Sequence, residues 1–244
     1  MHNFGHTRSC NQRDHLLQTP DTFVRMPLPV LTNAAAIVHT GAAAGAAFTQ
    51  YTVEFEEAGA LASNALQRFV FVMEGDLELR TDAHTEVLRA GGYAYLPASH
   101  RHVFTAGGKA RAAVIERHAG AVEPSAETGL LVSREEAVPG IALMGDPDLQ
   151  VRSLLPEVPG LNFAVNTMTY QPGAALPQVE IHVMEHGLLM LEGGGIYRLG
   201  DRWYPVYAGD FIWMAPFCPQ WFGAIGKQPA KYLIYKDWNQ HPLL

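Results

Sequence analysis

The sequence predicts an all-β protein made of two related barrels in tandem, and three observations predict it. Short runs of alternating apolar and polar residues are bounded by Gly and Pro, the pattern of strands in a sandwich or barrel. Within the 244 residues that pattern pauses and then restarts near Leu161. The two runs also match each other: a shift of 118 residues aligns positions 62 to 104 with the second half without a gap. The shift lays Met73-Glu74-Gly75 on Leu191-Glu192-Gly193, Leu79-Arg80 on Tyr197-Arg198, Gly91 on Gly209 and Phe104 on Phe222. A common register across turn glycines and apolar positions is the signature of internal repetition.

Taken in order, residues 1 to about 30 are polar and then punctuated by Pro20, Pro27 and Pro29, which predicts an extended arm rather than a helix. His2, His6 and His15 are expected on that arm as mobile residues. Strands are predicted over Phe48–Phe55, Arg68–Met73, Leu77–Arg80 and from Gly91 to Pro97, with a turn at Glu74-Gly75-Asp76. From Ala119 to Asp148 the chain is rich in Pro, Gly, Ala, Ser and Glu, which suits a linker or crossover. The expected division is therefore 1–122, an arm plus a metal-free barrel, and 123–244, a linker plus a metal-binding catalytic barrel.

Composition narrows the partners. A net charge of −7 without a basic tract speaks against nucleic acid. The Ala-rich segment Ala34–Phe48 is broken by His39, Thr40 and Gly41, so no membrane span is expected. The first residues lack the apolar core of a secretory signal. Cys10 and Cys218 make no disulfide framework. A soluble, cytoplasmic protein is the expectation.

The chemistry concentrates in Glu180-Ile-His182-Val-Met-Glu-His186. In a strand, Glu180, His182 and His186 share one face, with the β-branched Val179, Ile181 and Val183 packed on the other and Glu185 turned away. Three inward polar groups are costly to bury unless something neutralises them, and a metal ion does so. The aligned positions of the first half hold Ala62, Asn64 and Arg68, and His102 stands opposite Gln220, so the ligand set is confined to the second half. His100 and His102 are expected as mouth or surface residues. From residue type alone, Gln220 reads as a surface or hydrogen-bonding group, Tyr197 as a barrel tyrosine and Lys236 as a surface lysine.

Gly193, then Gly209, the strand Asp210–Pro216 and Gln220 complete a two-part pattern that resembles the cupin barrel. Two changes depart from the general cupin motif: the ligand order is Glu-x-His-x(3)-His, and Gln220 stands where a His is usual. That order resembles a narrower group, the bicupin (S)-ureidoglycine aminohydrolases. Pro172-Gly173-Ala174, Gly195-Ile196-Tyr197, Gly209-Asp210-Phe211 and Tyr235-Lys236-Asp237-x-Asn239 share the resemblance. So do Gly45-Ala46-x-Phe48, Gly91-Gly92-Tyr93-x-Tyr95-x-Pro97 and Leu17-x-Thr19-Pro20-Asp21, so most of the chain is covered.

The resemblance implies two tandem cupin barrels of double-stranded β-helix (jelly-roll) type, with the active site in the second. It implies Mn(II) held by Glu180, His182, His186 and Gln220, and substrate contacts from Tyr197 and Lys236 together with Glu180 and Gln220. Such an N/O donor set suits Mn(II) or Fe(II), with Zn(II) and Ni(II) as alternatives. Phe211, Trp213, Trp221 and Phe222 are expected as apolar walls. The implied reaction is hydrolysis of a non-peptide C–N bond in a small ureide, (S)-ureidoglycine, within purine and allantoin catabolism. Lys236, Tyr197 and Glu180 are the candidates for proton transfer, with acid and base roles open. The resemblance also implies a homo-oligomer. The competing classes are a cupin dioxygenase or oxidase, for which Gln220 is the wrong fourth ligand, and a non-catalytic ligand-binding bicupin. A cupin sugar-phosphate isomerase would need a basic phosphate cradle that the sequence lacks.

Overall fold

A computed structural model describes residues 6–98, 100–119, 129–158 and 160–238. In its first part the strands are β1 Cys10–Asn11, β2 His15–Gln18, β3 Arg25–Met26, β4 Leu31–Thr40, β5 Thr49–Ala62, β6 Gln67–Glu74 and β7 Asp76–Thr81. There follow β8 Thr85–Arg89, β9 Gly92–Leu96, β10 His102–Ala106, β11 Ala110–Arg117, β12 Leu131–Arg134, β13 Ile141–Leu143 and β14 Asp146–Ser153. The last are β15 Phe163–Tyr170, β16 His186–Glu192, β17 Gly194–Leu199, β18 Arg202–Tyr207, β19 Phe211–Met214, β20 Gln220–Ala224 and β21 Ala230–Asp237. The all-β class is what the alternation predicts, and among the described residues no helix is long and apolar enough to cross a membrane.

The first barrel is a single sheet ordered β12-β9-β6-β11-β5-β10-β7-β8, with β4 joining through β5 and β3 through β4. Its core is filled by one parity of each strand: Tyr51, Val53 and Phe55 from β5, Val70 and Val72 from β6, Ala112 and Val114 from β11. Phe69 and Phe71, of the opposite parity, are buried too. A strand buried on both faces reads as a continuous apolar run, which is why Arg68–Met73 does not alternate.

The second barrel pairs an eight-stranded sheet, β1-β2-β19-β16-β21-β15-β14-β13, with a three-stranded sheet, β18-β17-β20. Its core draws Leu188 and Met190 from β16, Tyr197 and Leu199 from β17, Phe222 and Ala224 from β20, and Tyr232 and Ile234 from β21. Fully burying each such side chain contributes about 1.5–3 kcal/mol. The repeat is visible strand by strand: β7 matches β17 and β10 matches β20 at the same 118-residue offset found in the sequence. The glycines that hold the register do so for a steric reason. Gly75 and Gly193 both have positive φ, and a Cβ on either would lie within 2.5 Å of a backbone carbonyl oxygen, that of Lys109 or Pro229.

Two expectations about organisation need correction. The arm does not belong with the first barrel. The compact units are Val24–Ala137 with Val158–Leu161, and the segment up to Phe23 with Val138–Glu157 and Asn162–Leu244. The cause is pairing: β2 lies antiparallel to β19, Leu16 against Trp213 and Leu17 against Ile212, and Leu17 is fully buried in the second core. Arg8 clamps the arm further through a two-pronged ion pair with the buried Asp210. His15, expected to be mobile, is buried between Asp14 and the Tyr204 hydroxyl. His6 is exposed, and His2 lies outside the described residues. The expected linker is also more than a linker, because β12, β13 and part of β14 fall within it. Strand β12 pairs with β9 and so finishes the first sheet beyond residue 122.

Candidate metal centre

Alternation within the second barrel fixes which side chains look inward. On β16, β20 and β21 the core residues are even-numbered, so His186, Gln220 and Lys236 face inward from the ends of their strands. On β17 they are odd-numbered, and Tyr197 is among them. Glu180 and His182 arrive differently. The strand expected over Val179–His186 is absent: β16 begins at His186, and Glu180 forms a lone antiparallel bridge with Gln220, with backbone bonds of 2.8 and 2.9 Å. Val179 and Ile181 are exposed rather than packed, because among the described residues the segment is held only by the Glu180 bridge and by the Phe217 N–H donating to the His182 carbonyl, and forms no strand there. Glu185 is buried, with its carboxylate accepting from Trp213 Nε1 at 3.2 Å.

The polar groups make a connected set. His182 Nε2 lies 3.2 Å from Glu180 Oε2, and the His182 and His186 rings stand nearly perpendicular with centroids 5.5 Å apart. The Tyr197 hydroxyl donates to Gln220 Oε1 at 3.1 Å. His186 Nδ1 is 3.3 Å from the Tyr235 carbonyl; a carbonyl only accepts, so the proton sits on Nδ1 and the Nε2 lone pair is free. That Nε2 is buried and has no hydrogen-bond partner in the protein. Burial, then the neighbouring His182 and Lys236, push the His186 pKa down to about 3, so the ring is neutral at physiological pH.

Lys236 is likewise held below the ordinary lysine range by burial, partly countered by Glu157 and Glu180. One residue of this site escapes the sequence motifs: Asn166. With its amide turned so that the oxygen accepts from Lys236 Nζ at 3.3 Å, the nitrogen donates to the Val165 carbonyl at 3.0 Å. Its signal was its parity, which it shares with Tyr170 on β15, the neighbour of β21. Beneath the set, the hydroxyls of Tyr170 and Tyr232 are 2.7 Å apart, and Tyr232 also reaches the Met168 sulfur at 3.2 Å. Burial raises the pKa of Tyr170, Tyr197 and Tyr232 well above the usual tyrosine value, so all three remain phenols.

The expected walls are half right. Phe222 belongs to the inner core and Trp221 packs against it, but Phe211 and Trp213 have the opposite parity to Ile212 and Met214 and point away. Met214, opposite His186 on β19, takes their place.

The residues present fit a metal ion. The donor set comprises two imidazoles, a carboxylate and an amide oxygen, and the buried Nε2 of one imidazole, His186, is neutral and satisfied by nothing in the protein, which is costly for a buried polar atom. A second cluster is drawn tighter. Among the described residues, Asp14, His15 and Cys218 are the three whose ligand atoms all lie within 4.8 Å of one another. Its chemistry is that of a satisfied hydrogen-bond network. Both ring nitrogens of His15 are engaged, at 2.9 Å with Asp14 and 2.8 Å with Tyr204. Burial and the nearby Asp14 push the Cys218 thiol up to about 11, away from the thiolate a metal needs.

Comparison with known proteins agrees with this architecture. Residues 166–235 match the cupin domain family model. The (S)-ureidoglycine aminohydrolase of Arabidopsis thaliana is 41% identical over 242 residues, spanning 98% of this chain and 80% of that protein. The chain belongs to the (S)-ureidoglycine aminohydrolase family. A more distant member, the (S)-ureidoglycine aminohydrolase of Escherichia coli K12, is 27% identical over 92% of this chain and 88% of its own. The crystal structure of protein Ylba from E. coli superposes with a TM-score of 0.85 at 26% identity, covering 96% of each chain. The match to the Arabidopsis thaliana relative extends across both barrels, whereas the cupin family model matches within the second.

Proposed function

We propose that this chain is a metal-dependent (S)-ureidoglycine aminohydrolase, acting in purine and allantoin catabolism. With water it converts (S)-ureidoglycine to (S)-ureidoglycolate and ammonia. The bond from the α-carbon to its amine breaks, a bond from that carbon to a water-derived hydroxyl forms, and the amine leaves as ammonia. The observation that carries the proposal is the partnerless, buried His186 Nε2 beside His182 and Lys236, in a chain of this family.

Glu180, His182, His186 and Gln220 are the residues that would hold the ion, Mn(II) first, with Fe(II), Zn(II) and Ni(II) compatible with the same donors. Bound there, a divalent ion supplies positive charge for the substrate carboxylate in a site with apolar walls. Lys236, with its pKa lowered by burial, gives up its proton more readily than an exposed lysine, which suits a donor to the departing amine. Tyr197 stays protonated and serves as a fixed hydrogen-bond donor, and Glu180 is the remaining candidate for proton transfer. The homo-oligomeric state and cytoplasmic location that accompany this reading are proposals of the same standing.

The test is ammonia release from freshly generated ureidoglycine. Release in proportion to enzyme, above the spontaneous rate, is expected. Release no faster than the spontaneous rate overturns the proposal, and oxygen uptake in its place would put an oxidase reading forward.

A further inference from the structure

The first barrel holds its own polar layer at the position of the metal centre, and the two layers correspond residue by residue. Across β6 and β11, Arg68 faces Glu116; across β16 and β21, His186 faces Lys236. Arg68 also faces Leu96 on β9 as His186 faces Met214 on β19. His102 opens β10 opposite Thr81, and Gln220 opens β20 opposite Leu199. The sequence repeat adds that Ala62 and Asn64 stand where the second barrel has Glu180 and His182.

Ala62, Asn64, His102 and Glu116 are each joined to the Arg68 side chain or to its counterion. The guanidinium is fully buried. Its Nε donates to Glu116 Oε1 at 2.7 Å, and Nη2 approaches the same oxygen at 2.5 Å as an ion pair. Nη1 donates to the Ala62 carbonyl at 2.8 Å and to His102 Nε2 at 2.7 Å. Asn64 Nδ2 donates to Glu116 Oε1 at 2.8 Å. His102, expected at the barrel mouth or surface, is buried. Its Nδ1 donates to the His100 carbonyl at 2.6 Å, so its Nε2 lone pair points inward, in the same tautomer as His186.

A buried charge persists only when it is paired and hydrogen-bonded, and here the fork of one guanidinium does what a coordinated cation would do. It neutralises a carboxylate, takes up an imidazole lone pair and binds a carbonyl oxygen. We infer that the first barrel retains a divalent-cation pocket in which the Arg68 guanidinium is the resident cation, so that exchanging it for an imidazole completes a transition-metal site with His102 and Glu116, while Asn64, whose oxygen accepts from the Leu66 N–H, orients the Glu116 carboxylate through its Nδ2. The equivalence of the two layers rests on the metal reading of the second barrel; the ligand chemistry of the first does not. A mixed N/O set of this kind suits Zn(II), Co(II) or Ni(II).

The experiment is the metal content of wild-type protein and Arg68→His, both stripped with chelator, loaded with excess Co(II) and desalted. Arg68→His adds the imidazole that the second barrel has at the same position. Two Co(II) per chain are expected in the variant against one in wild type, with added visible absorption from the new site. Equal counts of one overturn the inference. Zero in wild type with one in the variant sinks the metal reading of the second barrel and leaves the inference standing; zero in both sinks the inference. Should Arg68→His be recovered unfolded, refolding becomes the readout. Refolding with Co(II) or Zn(II) but not without supports a metal in place of the guanidinium, and failure with either metal overturns it.

Discussion

Replacing Lys236 by Met removes one ammonium and keeps most of the side-chain volume, so the lysine's two roles separate cleanly. For activity, a positioned proton donor or acceptor contributes about 10²- to 10⁴-fold, which is about 3–5 kcal/mol of barrier. For stability the sign is different. Burial disfavours the charged form of Lys236, so removing the charge relieves a cost. The loss is the contact with Asn166 at 3.3 Å, and an acceptor left unpaired costs about 1–3 kcal/mol. These effects oppose each other, and a chain of this size moves about 2–4 °C per kcal/mol. The expected variant therefore has kcat/KM for ammonia release down by at least about 100-fold, unchanged metal content, and a Tm within about 5 °C of wild type. Steady-state ammonia release, elemental analysis and calorimetry measure the three. A Lys236→Met protein retaining more than about a tenth of kcat/KM would refute the proton-transfer role, since no such group contributes so little. Loss of activity with a large fall in Tm would show instead that the lysine holds the barrel together.

Other residues carry predictions of their own. Asn166→Ala should lower kcat/KM about tenfold, the share of one charge-assisted hydrogen bond, with metal content intact. Asn166→Asp, which keeps the acceptor oxygen, should recover most of that loss, and equal damage from both would remove Asn166 from the account. Arg8→Ala leaves the buried Asp210 with only the Tyr207 amide, and about 2–4 kcal/mol of destabilisation is expected; a Tm unchanged in calorimetry would show that the arm is not clamped. Acid should weaken the fold through His39, whose pKa burial pushes down to about 3. Because the unfolded chain binds that proton near pH 6.5, stability is full above that value and falls as pH drops toward 3. The loss is about 2 kcal/mol at pH 5 from this residue, and His39→Gln should flatten the Tm profile between pH 7 and 5.

How much was legible in the sequence follows from where strand periodicity holds. Tyr197, Gln220 and Lys236 come from the family resemblance, residue type alone reading Lys236 as a surface lysine, yet each sits in a regular strand with core residues two positions away, so parity agrees with the inner face. Periodicity failed at Glu180 and His182, which reach the site from a loop tied down at one bridge, and so it packed Val179 and Ile181 where they are exposed. Asn166 was missed because an Asn in a strand of Thr, Met and Tyr carries no motif, although its parity pointed inward. The arm was misassigned for another reason. A short Pro-punctuated segment has too little pattern to reveal its partner strand, and only the pairing of Leu16 and Leu17 with β19 does so. In the first barrel the repeat showed Arg68 opposite His186 but not Glu116 opposite Lys236. The offset grows from 118 between β10 and β20 to 120 between β11 and β21, across a turn that no ungapped shift can follow.

The most direct test of a metal centre in the second barrel is metal content and ammonia release measured on the same samples before and after chelation. Wild type should bind one divalent ion per chain there, lose ammonia release when stripped, and regain it with Mn(II), while Glu180→Ala should neither hold the ion nor regain activity. Undiminished ammonia release from protein shown to be metal-free would contradict the account.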